Sequence, residues 1–295
     1  MTVKKILKGI SVVALGISLI GIMSGCNRVK KPKANKTLNL DEKELVFDEQ
    51  FDGELDKTVW DTTVDTPERR GGYWDPAQCF TQDGNLIIRT EYKENGTYGA
   101  GWYTGTCRTR GLKEFKYGYY EVRCKVPAAE GLWSAFWMLC DSMGDVTEGG
   151  KNGAEIDIME SPYYNDPKMP AKKYRNTTMH TIHVDGYGEK HKSRISKQYE
   201  VQNDMYNEFN TYGLLWTEDE YVFYINGQET WRTHWGVSQV PEYLWLSTEI
   251  AGEADTANPE NPDNKFAFSG DIRNNSKDAF PADFVVDYVR VYQAK

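Results

Sequence analysis

Three carboxylates crowd one short stretch of the chain, Gly153-Ala-Glu155-Ile-Asp157-Ile-Met-Glu160-Ser. On a β-strand successive side chains alternate between faces, so Glu155 and Asp157 share one face while Ala154, Ile156 and Ile158 point the other way. A third acid on that face belongs at position 159, yet Met159 stands there and the acid is Glu160. One extra residue is what a β-bulge absorbs, and a bulge here returns Glu160 to the face of the other two. Like charges this close repel, and one of them is driven to hold a proton. That split, one carboxylate ionised and one acid protonated, is what cleavage of a glycosidic bond needs. The outer Cα atoms stand about 13 Å apart at ~3.3 Å per step. Glutamates leaning inward bring their carboxyls to roughly 5–6 Å, the spacing of a retaining double displacement. From spacing alone a half-buried strand whose wet face happens to be acidic is the commoner case.

Such a strand needs a sheet, and the rest of the chain supplies one. Tyr117 to Val126 alternates, with Tyr120, Val122, Cys124 and Val126 on one face and Glu121, Arg123 and Lys125 on the other. Trp133 to Leu139 is continuously apolar apart from Ser134, as a strand buried on both faces is. Residues 85–92, 179–184, 211–216, 221–225, 229–233, 243–250 and 284–292 read as further strands, and Asn226-Gly227 is a hairpin turn. No long amphipathic helix and no fixed repeat interrupts them. The expectation is an all-β jelly-roll sandwich forming one domain over residues 45–295. Loops 66–79, 141–152 and 251–264 are placed to flank a cleft.

The chain has 295 residues and a net charge of −9, but the charge is uneven. Residues 1–36 hold eight Lys or Arg and no acid, leaving 27 basic against 44 acidic residues, a balance of −17, in the rest. An acidic body repels polyanions, which argues against a nucleic-acid partner. Lys4, Lys5 and Lys8 precede an apolar run from Ile10 to Met23, and Met23-Ser24-Gly25-Cys26 follows. Residues 1–25 read as a lipoprotein signal peptide too short to span a bilayer. On that reading Cys26 is lipidated, residues 26–44 form a polar tether, and the protein is extracytoplasmic, anchored to a bacterial membrane or cell surface; the alternative is an ordinary secretory signal in which Cys26 is incidental. Cys79, Cys107, Cys124 and Cys140 form no CxxC motif, and both disulfides and free thiols stay open. A monomer is expected.

The stretch Glu155-Ile-Asp157-Ile-Met-Glu160 resembles the signature of glycoside hydrolase family 16, in the bulge-containing form of its laminarinase-like branch. Tyr117 to Leu139 is similar to the same family, with Ser134 where proline is common. Phe47 to Gly53 and Phe284 to Tyr292 resemble its first and last strands. The resemblance implies two stacked antiparallel sheets with a substrate cleft on the concave face. It implies Glu155 as nucleophile, Asp157 as assisting acid and Glu160 as acid/base. It implies that Trp133 stacks on a sugar beside the cleavage point. Trp137 shares its parity, and Trp102, Tyr103 and Trp235 are further substrate-binding candidates. His180 and His183 lie three apart, so only one faces the cleft. His183-Val-Asp-Gly-Tyr-Gly resembles the family's histidine-glycine pattern and points to His183. Glu49 and Asp287 stand at positions resembling a structural calcium site. Catalysis is expected to need no cofactor, and four histidines without HExxH argue against zinc.

The expected activity is endo-hydrolysis of β-1,3- or mixed β-1,3/1,4-glucan. The same mechanism on a β-galactan (agar, carrageenan or a host β-galactoside glycan), transglycosylation, and a non-catalytic glycan-binding lipoprotein are the alternatives.

Overall fold

A computed structural model describes residues 29–146, 149–161, 175–250 and 272–295. Residues 1–25, Cys26 and the loop 251–264 lie outside the described residues. In chain order the strands are β1 Lys33–Thr37, β2 Lys43–Glu49, β3 Glu68–Arg69, β4 Gly72–Trp74, β5 Cys79–Gln82, β6 Asn85–Gly96 and β7 Gly99–Thr104. They continue with β8 Thr106–Arg108, β9 Glu114–Phe115, β10 Gly118–Lys125, β11 Leu132–Leu139, β12 Ala154–Ser161, β13 Thr177–Val184 and β14 Lys192–Ile195. The last are β15 Tyr199–Glu200, β16 Asn210–Trp216, β17 Tyr221–Ile225, β18 Gln228–Thr233, β19 Glu242–Ile250 and β20 Ala282–Ala294.

They form two sheets. The larger runs β1-β18-β17-β16-β10-β20-β6-β7-β4-β3, with β2 paired to β20 and β5 to β6. The smaller runs β14-β13-β12-β11-β19-β8, with β15 paired to β13 and β9 to β19. Tight turns set the register. Asn226 and Gly227 both take positive φ, 48° and 71°, as do Asp83 and Gly84, 52° and 70°. These are the twists that join β17 to β18 and β5 to β6 without splaying them.

Period two then decides which side of each strand meets the core. Tyr120, Val122 and Cys124 of β10 and Val286, Val289 and Val291 of β20 face inward from the larger sheet. Phe136 and Met138 of β11, Ile156 and Ile158 of β12, Ile182 and Val184 of β13, and Leu244 and Leu246 of β19 meet them from the smaller one. The opposite face of the smaller sheet presents Trp133, Trp137, Glu155, Asp157, Glu160, His183 and Trp245, and this face carries the site.

The segment expected to be a polar tether is part of the fold from its fifth residue, Lys30, on. Lys30 bridges to Tyr199, and β1 pairs with β18 through Lys33 and Thr37. Lys33 also forms an ion pair with the buried Glu229, and Leu38 and Leu40 pack against Tyr119, Val222 and Tyr224. Leucines and a paired lysine in a polar stretch are enough to dock it. Cys79, Cys107, Cys124 and Cys140 are all free and buried.

Candidate active site

The bulge in β12 is present. Ala135, Phe136 and Trp137 of β11 face Glu160, Met159 and Asp157, so one residue is extra between Phe136 and Trp137. On the other side Asp157 and Glu160 face Thr181 and Met179, three residues against two. Ile158 and Met159 both go to the core, and Glu160 returns to the face of Glu155 and Asp157. His180 holds the bulge from below. Its Nδ1–H donates to the Ile158 carbonyl at 2.7 Å, and its ring stacks on Phe223 at 4.6 Å. Burial pushes its pKa down to about 4, so it is neutral. Gly153 starts the strand at φ 127°, where a Cβ would stand 1.9 Å from the Cys140 sulfur. Only glycine fits that approach.

Each carboxylate has its own neighbours. Glu160 accepts from Trp133 Nε1–H at 3.1 Å and from Thr181 Oγ1–H at 2.9 Å. Glu155 accepts from the Tyr187 hydroxyl. Tyr187 arrives on a loop turned over the sheet by positive φ at Asp185 and Gly186, 64° and 72°. The Gly186 N–H ties that loop to the Met143 carbonyl at 2.9 Å. His183 Nε2 stands 3.7 Å from Glu155 and 3.6 Å from Asp157, and its Nδ1 lies 2.8 Å from His191 Nε2. Burial lowers the His183 pKa to about 4, so these are contacts of a neutral ring.

Burial drives all three carboxyls upward. Glu155 reaches about 7, with the Tyr187 hydrogen bond and the charge of Arg69 pulling back and Glu249 adding to the rise. Glu160 also reaches about 7, held back by Thr181 and Trp133 and raised by Glu155. Asp157 is raised well above its ordinary range by burial and by the charges of Glu160 and Glu155. Three such groups cannot all ionise together. Beside them Glu249 stays ionised: burial would raise it, but Arg70 and Arg69 bring it down to about 2.

Aromatic rings floor the face. Trp137 and Trp245 stack at 4.2 Å with 10° between planes, and Trp74 tilts on Trp245 at 6.1 Å. Arg70 lies over Trp133 at 5.3 Å. A cavity of about 490 Å³ lies to one side of the triad, walled by Asp141, Asp185, Tyr187, Tyr243 and Trp245 among others; it meets the triad through Tyr187, whose hydroxyl donates to Glu155. The face itself, with stacked indoles and a carboxyl triad, can bind sugar rings and move a proton between two acids.

The expected residues come together in part. Glu155, Asp157, Glu160, Trp133, Trp137 and His183 share the face. Trp102 is engaged elsewhere: it tilts on Phe280 at 4.5 Å and meets Tyr92 edge-on at 5.4 Å. Trp235 packs against the central core under Arg194, 5.1 Å away. Tyr103 is fully buried. All three pack against other side chains: Trp102 and Tyr103 on β7, and Trp235 in the bend after β18. Glu49 and Asp287 each have protein partners. Glu49 accepts from Trp60 Nε1–H and the Phe51 N–H, both at 2.9 Å, and Asp287 pairs with Arg123. Tyr187, His191, Arg69, Arg70, Glu249, Thr181 and Trp245 were not anticipated. The alternation Tyr243, Trp245, Ser247, Glu249 against Leu244 and Leu246 was the one signal able to reveal Trp245 and Glu249.

Residues 43–294 match the family model described as beta-porphyranase A-D, GH16 domain. The chain belongs to glycoside hydrolase family 16. Its family 16 relatives include a beta-glucanase of Rhodothermus marinus, 25% identical over 301 residues that cover 93% of each chain. SCLam, described as a non-specific endo-beta-1,3(4)-glucanase from family GH16, superposes with a TM-score of 0.67 at 26% identity, over 90% of this chain and 97% of that one. The catalytic domain of an endo-1,3-beta-glucanase (laminarinase) from Thermotoga petrophila RKU-1 does so with a TM-score of 0.65 at 26% identity, over 86% and 98%. As a family 16 member this protein is a glycoside hydrolase, and its catalysis needs no cofactor.

Proposed function

We propose that the protein is an endo-acting β-glucanase that cleaves β-1,3- or mixed β-1,3/1,4-glucan with retention of configuration. The observation that carries the mechanism is the bulge-set triad with unlike neighbours at its two ends. Glu155, facing Arg69 and hydrogen-bonded by Tyr187, is the nucleophile that forms a glycosyl-enzyme ester. Glu160, kept protonated by burial and by the charge of Glu155, donates to the leaving oxygen. Esterification removes that charge, so Glu160, having given its proton to the leaving oxygen, stays ionised and can then take a proton from the water that attacks the ester. Asp157 keeps its own proton and directs it toward the nucleophile. The stacked Trp137 and Trp245, with Trp133, support the sugar rings. The relatives described as beta-glucanase and laminarinase support the glucan. Export as a lipoprotein lipidated at Cys26 belongs to the same reading and rests on the Met23 to Cys26 pattern.

The description of the matching family model, beta-porphyranases, favours a second substrate: a β-galactan of the agar class. Product release from laminarin, mixed-linkage glucan, agarose and porphyran separates the two. The protein tested spans residues 29–295, so that β1 is kept, and Glu155→Gln is the blank. Oligosaccharides from a glucan that drop by roughly 10³-fold or more in the variant support the first reading. Release from a galactan alone moves the substrate and keeps the mechanism. Binding without turnover in either protein returns the chain to a glycan-binding role. Proton NMR of the first product anomer tests retention.

A further inference from the structure

The docked N-terminal segment fixes where the chain leaves the sandwich. The Lys30 N–H donates to the Gln198 carbonyl and the Lys30 carbonyl accepts from the Glu200 N–H, both at 2.8 Å. The chain preceding Lys30 therefore departs beside β15, at the edge shared by β13, β14 and β15. Cys26 is four residues back, at most about 14 Å of extended chain at ~3.5 Å per residue.

The surface at that exit has the opposite charge to the body. Residues 190–197 hold Lys190, Lys192, Arg194 and Lys197 and no acid. All four are exposed, as are Lys30 and Lys31. Ile195, 36% exposed, sits among them on β14, the last strand of its sheet. Two exposed acids adjoin them: Glu189, next to Lys190 in the chain, and Glu200, 3.7 Å from Lys31. Outside residues 1–36 and 190–197 the chain holds 23 basic and 44 acidic residues.

We propose that this edge, β14 with its flanks and the exit at Lys30, is the face the protein lays against an anionic phospholipid bilayer. An anionic surface attracts this edge and repels the remaining body, and both forces act within about a Debye length of ~8–10 Å. A free tether of nineteen residues, 26–44, would let the domain tumble out of that range. Four residues hold it there. The inference rests on the lipoprotein reading proposed above, in which the lipid at Cys26 supplies attachment; the basic edge supplies orientation. The inference is independent of which glycan is cleaved.

The test couples the chain from Cys26, through that thiol, to a maleimide phospholipid in vesicles. The other four cysteines are buried, so Cys26 takes the link, and natural lipidation is not required. Vesicles are phosphatidylcholine alone or mixed with phosphatidylglycerol, and lysine acetylation rates are read by mass spectrometry. Lys31, Lys190, Lys192 and Lys197 are expected to react several-fold more slowly on the anionic vesicles, with the difference erased by high salt. The exposed Lys57, Lys113 and Lys277 are expected to react equally on both. Equal rates for the first set, or protection of the second, overturns the proposal. The combined variant Lys31→Gln, Lys192→Gln, Lys197→Gln is expected to lose the protection of Lys190 while hydrolysing soluble glycan as before. Protection of Lys190 that survives in this variant overturns it too.

Discussion

Glu155 and Glu160 are both raised to about 7 by burial, and only their neighbours tell them apart. Tyr187 and Arg69 favour the anion at Glu155, while Trp133 and Thr181 hold both oxygens of Glu160 in place. This makes Tyr187 a positioning residue with a pH signature. Tyr187→Phe removes a hydrogen bond that lowers the Glu155 pKa, so the acid limb of kcat/KM should move up by roughly one pH unit, about 1.4 kcal/mol. An unchanged limb would mean that Tyr187 does not set the nucleophile. Glu242 offers a second test away from the cleft. It is fully buried, accepts from the Ala154 N–H at 3.0 Å, and has one oxygen without a partner. Burial raises its pKa from 4.5 to about 8. The folded state therefore holds a proton that the unfolded chain releases. Its stabilisation is complete below pH 4.5 and is lost as pH rises toward 8. Glu242→Gln should flatten this slope, gaining on the order of 4 kcal/mol at pH 9 relative to pH 4, as read by urea unfolding at the two pH values.

At the scale of elements the bulge is the decisive device, and it could be read in advance because its signal is local. Period two places Glu155 and Asp157, and a single out-of-step Met159 demands the extra residue. What lies over the strand was not readable in the same way. Tyr187, Arg69 and Arg70 come from connections whose paths depend on distant packing, such as the Gly186 bond to Met143 and the Arg70 bridge to Ile250. The packing of Trp102 on Phe280 and of Trp235 under Arg194 was hidden for the converse reason: an aromatic type says nothing about which neighbours the fold brings to it. The docking of residues 29–44 was missed because a basic, polar composition reads as solvated, and Glu229, 196 residues beyond Lys33, gives no local sign. The bulge has its own test. Deleting Met159 restores a plain Glu-x-Asp-x-Glu alternation, so the glutamate stays on the cleft face, but a fully buried side chain is lost. Measurable hydrolysis with a stability loss of about 2–5 kcal/mol in denaturant titration is expected. Complete inactivity in a folded deletion variant would show that the bulge sets distance as well as facing.

Across the whole molecule the two sheets meet in one continuous core, and the larger sheet is organised around its last strand. β20 lies between β10 and β6 and also pairs with β2, so residues 282–294 contact three segments from the N-terminal half of the domain. Phe284, Val286, Val289 and Val291 are all fully buried there. A chain ending at residue 281 should not fold, and proteolysis should degrade it where the full chain resists. Closing the larger sheet therefore means joining partners far apart along the chain: Arg123 with Asp287, Arg89 with Asp283 and Asp48 with Arg290 are 164, 194 and 242 residues apart. Each such joining closes a long loop, so the sheet is the slow step of folding, and the protein has its shape only once these distant stretches have met.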